Sequence, residues 1–227
     1  KLGGFRYDLM ALHDIETMNQ VVEKLYTINP SICVYGEPWA GGDTPLAGAS
    51  QAKQANANKY VGYGQFNDQM RDALIAGGMK GATTLAWITN EEIVNKATDT
   101  PKIRKGIQGY TYSTDVLVED PDKTVNYVTC HDNYTLVDRF AAAGITDEIT
   151  AKKMAILSNS VVFTSQGITF MLAGEEFLRT KGGDHNSYCS SYEVNELNYD
   201  LKVAYPKQFE AYQKLIALKQ NVDGLHL

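Results

Sequence analysis

Apolar and polar residues fall into blocks of two kinds along this chain. Short apolar runs cover about residues 3–9, 32–37, 124–131 and 168–173, with a weaker one near 61–66. Each is bounded by Gly, Pro or polar residues, which predicts buried strands. Between them, apolar residues recur at helical spacing. Ile15, Met18, Val22, Leu25 and Ile28 predict a helix with Asp14 as N-cap and Pro30 just past its end. DQMRDALIAGG predicts a short helix ended by glycines. TDEITAKKMAILSNSVVFTSQG predicts a longer one, capped by Thr146 or Asp147 and closed by Gly167. The last helix covers YPKQFEAYQKLIALKQ, with Pro206 in its first turn and Phe209, Tyr212, Ile216 and Lys219 on one stripe. Residues 40–60 read as a long loop. Residues 77–123 show no strong period and predict a small helix and a turn.

Strands apolar on both faces and separated by helices predict an α/β chain whose parallel sheet is covered on both sides. A (β/α) barrel and an open doubly wound sheet both satisfy the pattern.

Composition narrows the function classes. The chain has 227 residues, 44% hydrophobic and 21% charged, enough for a sizeable core. Its net charge of −6, with no basic stripe, argues against nucleic acid as a partner. No apolar run approaches the length of about 18 residues that spans a bilayer, so no membrane partner is expected. Cys33, Cys130 and Cys189 fit neither a zinc spacing nor a disulfide framework. Cys33 and Cys130 read as small buried hydrophobes.

The placement of charge is more informative. Arg6 and Asp8 lie two apart on an apolar strand and so point to one side, which is costly unless they pair or line a wet cavity. Acidic residues also stand at the C-terminal ends of the predicted strands: Asp8, Glu37, Asp132, and the pair Glu175 and Glu176. In parallel α/β folds those ends form the mouth where ligands bind. Carboxylates converging there, with an arginine among them, point to hydrolysis of a sugar acetal. Arg6 favours the ionised form of Asp8, which suits a nucleophile. Glu37, beside Tyr35, Pro38 and Trp39, has an apolar setting that suits an acid. Trp39 offers a flat face for a sugar ring. The rival chemistry, metal hydrolysis by His13, His131 and His185, lacks HExxH or i, i+4 spacing, and no catalytic metal is expected.

Three stretches, GFRYDLMALH, VYGEPW and VNYVTCHDN, resemble in order the second, third and fourth signature regions of the alpha-amylase superfamily, glycoside hydrolase family 13. DLMALHDIETMN, HDNYTLVDRF and GEEFLRTKGGDHNSYCSSYEVNELNYD resemble its starch-debranching members, the type I pullulanases. The resemblance implies a retaining hydrolase of α-1,6-glucosidic bonds in pullulan, starch or glycogen. Asp8 matches the nucleophile, Glu37 the general acid/base and Asp132 the third carboxylate. Arg6 matches the arginine that holds the nucleophile, His131 the ligand beside Asp132, and Asn186 and Tyr188 fall in the loop where debranching relatives contact the glucan; with Trp39 these are the candidate substrate-binding residues. No cofactor is required; a structural calcium, bound by some relatives, has candidate ligands in acidic loops such as GGDT. The chain departs from the pullulanase pattern at Pro38, where Gly is usual, at Val137, where Trp is usual, and at Asn198 and Tyr199, where an Asp-Trp ending is usual.

The resemblance also implies a fold class: residues 1–227 as the C-terminal half of a (β/α)8 TIM barrel, about strands 4 to 8, with strands 1 to 3 and the C-terminal β-sandwich absent. Two open sheet edges would then need a partner, either the missing N-terminal barrel half or a second copy of the chain. The chain alone is expected to be inactive or feeble. The alternatives are an α-1,4-acting amylase and a non-catalytic glucan-binding or scaffold piece. A cytoplasmic and a secreted bacterial enzyme both fit, although three unpaired cysteines sit more comfortably in a reducing compartment.

Overall fold

A computed structural model describes residues 2–76, 86–89, 96–113 and 116–225. Among them, five strands form one parallel sheet: β1 (Gly4–Tyr7), β2 (Cys33–Gly36), β3 (Gly64–Phe66), β6 (Thr124–Asn126) and β7 (Ile168–Thr169). Two more, β4 (Thr111–Ser113) and β5 (Val116–Val118), form a separate antiparallel pair. The helices are α1 (Ile15–Ile28), α2 (Asp68–Ile75), α3 (Lys96–Ile107), α4 (Leu136–Ala142), α5 (Glu148–Phe163), α6 (Tyr192–Asn195), α7 (Asp200–Ala204) and α8 (Pro206–Asn221).

The sheet order is β1-β2-β3-β6-β7, each strand added beside the one before it in the chain. A doubly wound sheet reverses direction at a switch point, whereas a barrel never does. The order therefore selects the barrel-type sheet from the two that the periodicity allows. Register runs from Phe5 opposite Val34, through Tyr35 opposite Gly64 and Phe66 opposite Val125, to Val125 opposite Ile168.

Helices α1, α2, α5 and α8 form where the periodicity predicts them, whereas α4, α6 and α7 are not predicted by it. The Asp14 carboxylate caps α1 by accepting from the Thr17 N–H at 2.8 Å, and α1 buries Met18 and Val22. Asp147, rather than Thr146, caps α5 through the Thr150 N–H at 2.7 Å. Helix α5 stops at Phe163, before Gly167. Gly167 has another use. Its φ is +91°, and a Cβ there would stand 2.8 Å from the Thr124 carbonyl oxygen, so only glycine lets the chain turn into β7 against β6. On α8 the predicted stripe faces inward, with Tyr212 buried.

Other expectations are corrected. The strands are shorter than the apolar runs, because the backbone turns away at their C-terminal ends. Tyr127, Val128 and Cys130 stay buried beyond the end of β6. The region from 77 to 123 holds a twelve-residue helix, α3, with Pro101 inside it, and the unpredicted β4–β5 pair. The expected turn lies at residues 87–89; the rest of 77–95, apart from Ala86, lies outside the described residues.

Inside the sheet, Phe66, Val125, Tyr127 and Cys130 pack with Tyr35, Trp39, Ile168 and Phe170. Phe66 meets Tyr127 and Phe170 edge-on at 4.7 and 5.1 Å between ring centres. This aromatic layer forms a floor, and the polar strand ends stand above it.

Candidate active site

Arg6 leaves β1 over that floor, its guanidinium carbon 5.8 Å from the centre of the Phe66 ring. Its two terminal nitrogens reach two carboxylates. Nη1 donates to Asp8 at 2.5 Å, and Nη2 donates to Glu37 at 2.6 Å. Nη2 also stands 3.2 Å from His131 Nδ1. His131 Nε2 lies 3.5 Å from Asp8 and 3.4 Å from Asp132. Five residues from three strand ends thus form one continuous polar cluster. The two charges on β1 are tolerated because they pair and because Asp8 opens to water, at 58% exposure.

The two carboxyls at the centre differ in setting. Glu37 is 1% exposed. Burial raises its pKa above the ordinary value, and the Leu9 N–H and the Arg6 charge only partly offset it. For Asp8, burial pulls upward too, but the hydrogen bond and charge of Arg6 outweigh it and hold the pKa below the ordinary value. A hydrogen bond between the two carboxyls acts in the same senses, lowering Asp8 and raising Glu37. A proton at this site therefore resides on Glu37, opposite an ionised Asp8.

A cleft opens beside the cluster. Glu37, Trp39, Asp132 and Asn186 line it, four of the residues the sequence singles out. Tyr188 does not line it and is 82% exposed. Leu9, Asp68 and Arg71 line it as well, and the sequence reading missed them; His185, named there only for the rival metal chemistry, lines it too. Asp68 was within reach of the same rule that finds Asp8, because it stands two residues past the end of β3 at Phe66.

One sequence expectation fails here. Glu175 does not face the mouth. It is 3% exposed and accepts from the Asn159 amide of α5 at 3.0 Å, so it belongs to the helix layer. Glu176 turns back to the Gly174 N–H at 2.9 Å. The histidines do not gather: His13 packs edge-on against Tyr7, and His185 packs against Tyr134. Among the described residues, the set that could surround a metal ion is Glu37, Cys130 and His131. Arg6 Nη2 already bonds the carboxylate and the imidazole of that set, so a metal ion would have to displace a cation from its place. Burial pushes the Cys130 thiol up to about 11, which suits a packed neutral group rather than a thiolate ligand.

No family model matches the chain. The pullulanase of Bacillus subtilis is 33% identical over 228 residues, covering 99% of this chain and 31% of that protein. Among solved structures, the pullulanase from Paenibacillus barengoltzii in complex with maltohexaose and alpha-cyclodextrin superposes with a TM-score of 0.90 at 36% identity, covering 100% of this chain and 35% of that one. The pullulanase from Bacillus acidopullulyticus gives a TM-score of 0.89 at 36% identity over 100% of this chain and 27% of its own. The chain spans about a third of the length of these proteins. The five parallel strands thus form a half-barrel that matches a portion of a pullulanase catalytic domain.

Proposed function

We propose that this chain, a homologue of type I pullulanases over nearly its full length, carries the reacting groups of a retaining α-glucan debranching hydrolase. On this reading its five parallel strands correspond to strands 4 to 8 of the barrel, and residues 1–227 form the C-terminal half of the catalytic domain. The observation that carries the reading is the single guanidinium of Arg6 bridging a buried Glu37 and an open Asp8. Retaining glycosidases need two closely spaced carboxyls, one ionised to attack and one protonated to release the leaving oxygen.

Asp8 attacks the anomeric carbon while Glu37 gives its proton to the departing glycosidic oxygen. The resulting glycosyl ester on Asp8 is then opened by water, which Glu37, now ionised, deprotonates. Asp132 and His131 hold sugar hydroxyls beside Asp8, and Trp39 stacks a ring across the cleft. Asn186 contacts the glucan from the loop after β7, and Tyr188 does so farther out. The α-1,6 preference rests on the likeness to pullulanases, since an α-1,4-acting relative uses the same three carboxylates.

The test is release of reducing ends from pullulan by the full-length protein that contains this chain. Glu37→Gln is expected to lower the rate by roughly two to four orders of magnitude, the usual worth of a positioned general acid. Unchanged turnover in that variant rejects the assignment. Glucan binding without turnover in the unaltered protein supports instead the scaffold reading.

A further inference from the structure

Four non-glycine residues among those described have a positive φ, and two of them directly follow exposed carboxylates of the site: Leu9 after Asp8 and Asn133 after Asp132. Leu9 is the more unusual. Asparagine visits the left-handed region readily, but a leucine there costs about 1–2 kcal/mol. Its φ and ψ are 45° and 49°. This conformation ends β1 and turns the Leu9 N–H onto Glu37 Oε2, at 2.9 Å. The other oxygen, Oε1, accepts from Arg6. Both oxygens of Glu37 are therefore held by the segment that carries Asp8, not by its own strand. The Leu9 side chain is seated as well. A Cβ on Gly41 would stand 2.9 Å from Leu9 Cδ2, so the bare backbone of Gly41 leaves the room that Leu9 fills.

We infer that Leu9 is a positioning residue, whose left-handed backbone aims its N–H at the Glu37 carboxyl and fixes that carboxyl relative to Asp8. The inference rests on the proposed role of Glu37 for its catalytic meaning. The N–H bond favours the carboxylate form and works against burial, which favours the acid. A group that must give a proton and then take one back needs that opposition.

The experiment is a pH titration by NMR of the chain itself, following the Glu37 carboxyl carbon and the Leu9 amide. In the unaltered protein the two signals are expected to share one midpoint. Leu9→Gly, which adopts positive φ freely, is expected to keep that midpoint. Leu9→Val, whose branched Cβ resists the left-handed region, is expected to move it upward by about one pH unit, the worth of one hydrogen bond to a charged group. A Leu9 amide that does not follow Glu37 overturns the inference, as does an unmoved midpoint in Leu9→Val. If Leu9→Val fails to fold, the shared midpoint of the unaltered protein decides alone. Shared midpoints in the chain with no turnover by the full-length protein reject the proposed hydrolase and leave the positioning intact; turnover by the full-length protein without shared midpoints in the chain does the reverse.

Discussion

Arg6 makes two like carboxyls unlike. It lies against both, yet its charge prevails at the open Asp8, whereas burial prevails at the enclosed Glu37. Under the proposed mechanism, activity rises with pH as Asp8 ionises, below its ordinary value, and falls as Glu37 loses its proton, above its ordinary value. A bell-shaped pH–rate profile for the full-length protein checks this. Arg6→Met removes the cation from both carboxyls, so both limbs are expected to move toward higher pH while kcat falls. A rising limb that stays in place would show that some other group sets the ionisation of Asp8.

Among elements, the loop after β7 is tied to the loop after β6 by α4. Asp138, in the first turn of α4, accepts from Thr135 at 2.8 Å, from Thr180 at 2.5 Å and from the Lys181 N–H at 2.7 Å. Lys181, 3% exposed, then donates to the His131 carbonyl at 3.2 Å. Asp138→Ala leaves two buried donors, the Thr135 hydroxyl and the Lys181 N–H, without this acceptor, and a loss of about 2–4 kcal/mol in chemical denaturation is expected. Glu175 gives the helix layer a pH dependence. Burial raises its pKa from 4.5 to about 8. Below pH 4.5 it is protonated in both folded and unfolded chains. Between 4.5 and about 8 only the unfolded chain ionises, so stability falls as pH rises, and the loss is complete above the folded value. Glu175→Gln removes that loss. The variant is expected to be more stable than the parent at pH 9, by an amount on the order of a few kcal/mol in unfolding free energy, and to differ little at pH 4. Equal stability at pH 9 would place the ionised Glu175 in a better solvated setting than its burial implies.

For the whole molecule the sheet edges matter most. β1 and β7 end the sheet, and among the described residues neither has a strand on its outer side. Open parallel edges flanked by apolar residues favour association. We expect light scattering on the purified chain to find a species heavier than one copy, and a folded monomer would reject closure by a second copy. The same open edges support the expectation that the 227-residue chain turns over pullulan feebly compared with the full-length protein.

Much of this was legible in the sequence because local rules apply locally. Helical spacing and caps such as Asp14 and Asp147 mark α1 and α5, since each depends on neighbours within a turn. Strand ends mark Asp8, Glu37 and Asp132, since a parallel sheet delivers every C-terminal strand end to the same rim. The same rule reaches Asp68, just past β3, but misplaces Glu175. Pattern along a chain does not tell whether a residue past a strand turns to the rim or under the helices. The order of the strands, which separates a barrel from a doubly wound sheet, is likewise invisible to periodicity. So is the backbone of Leu9, which nothing in its own residue type favours. The sequence by itself determined the helices α1, α2, α5 and α8, the buried runs of the sheet, and Asp8, Glu37 and Asp132 as carboxylates past strand ends. Only the tertiary structure decided that Arg6 joins Asp8 to Glu37 and that burial raises the pKa of Glu37 while Asp8 stays open to water. Those outcomes depend on distances between segments far apart in the chain, and only packing of the whole sheet sets such distances.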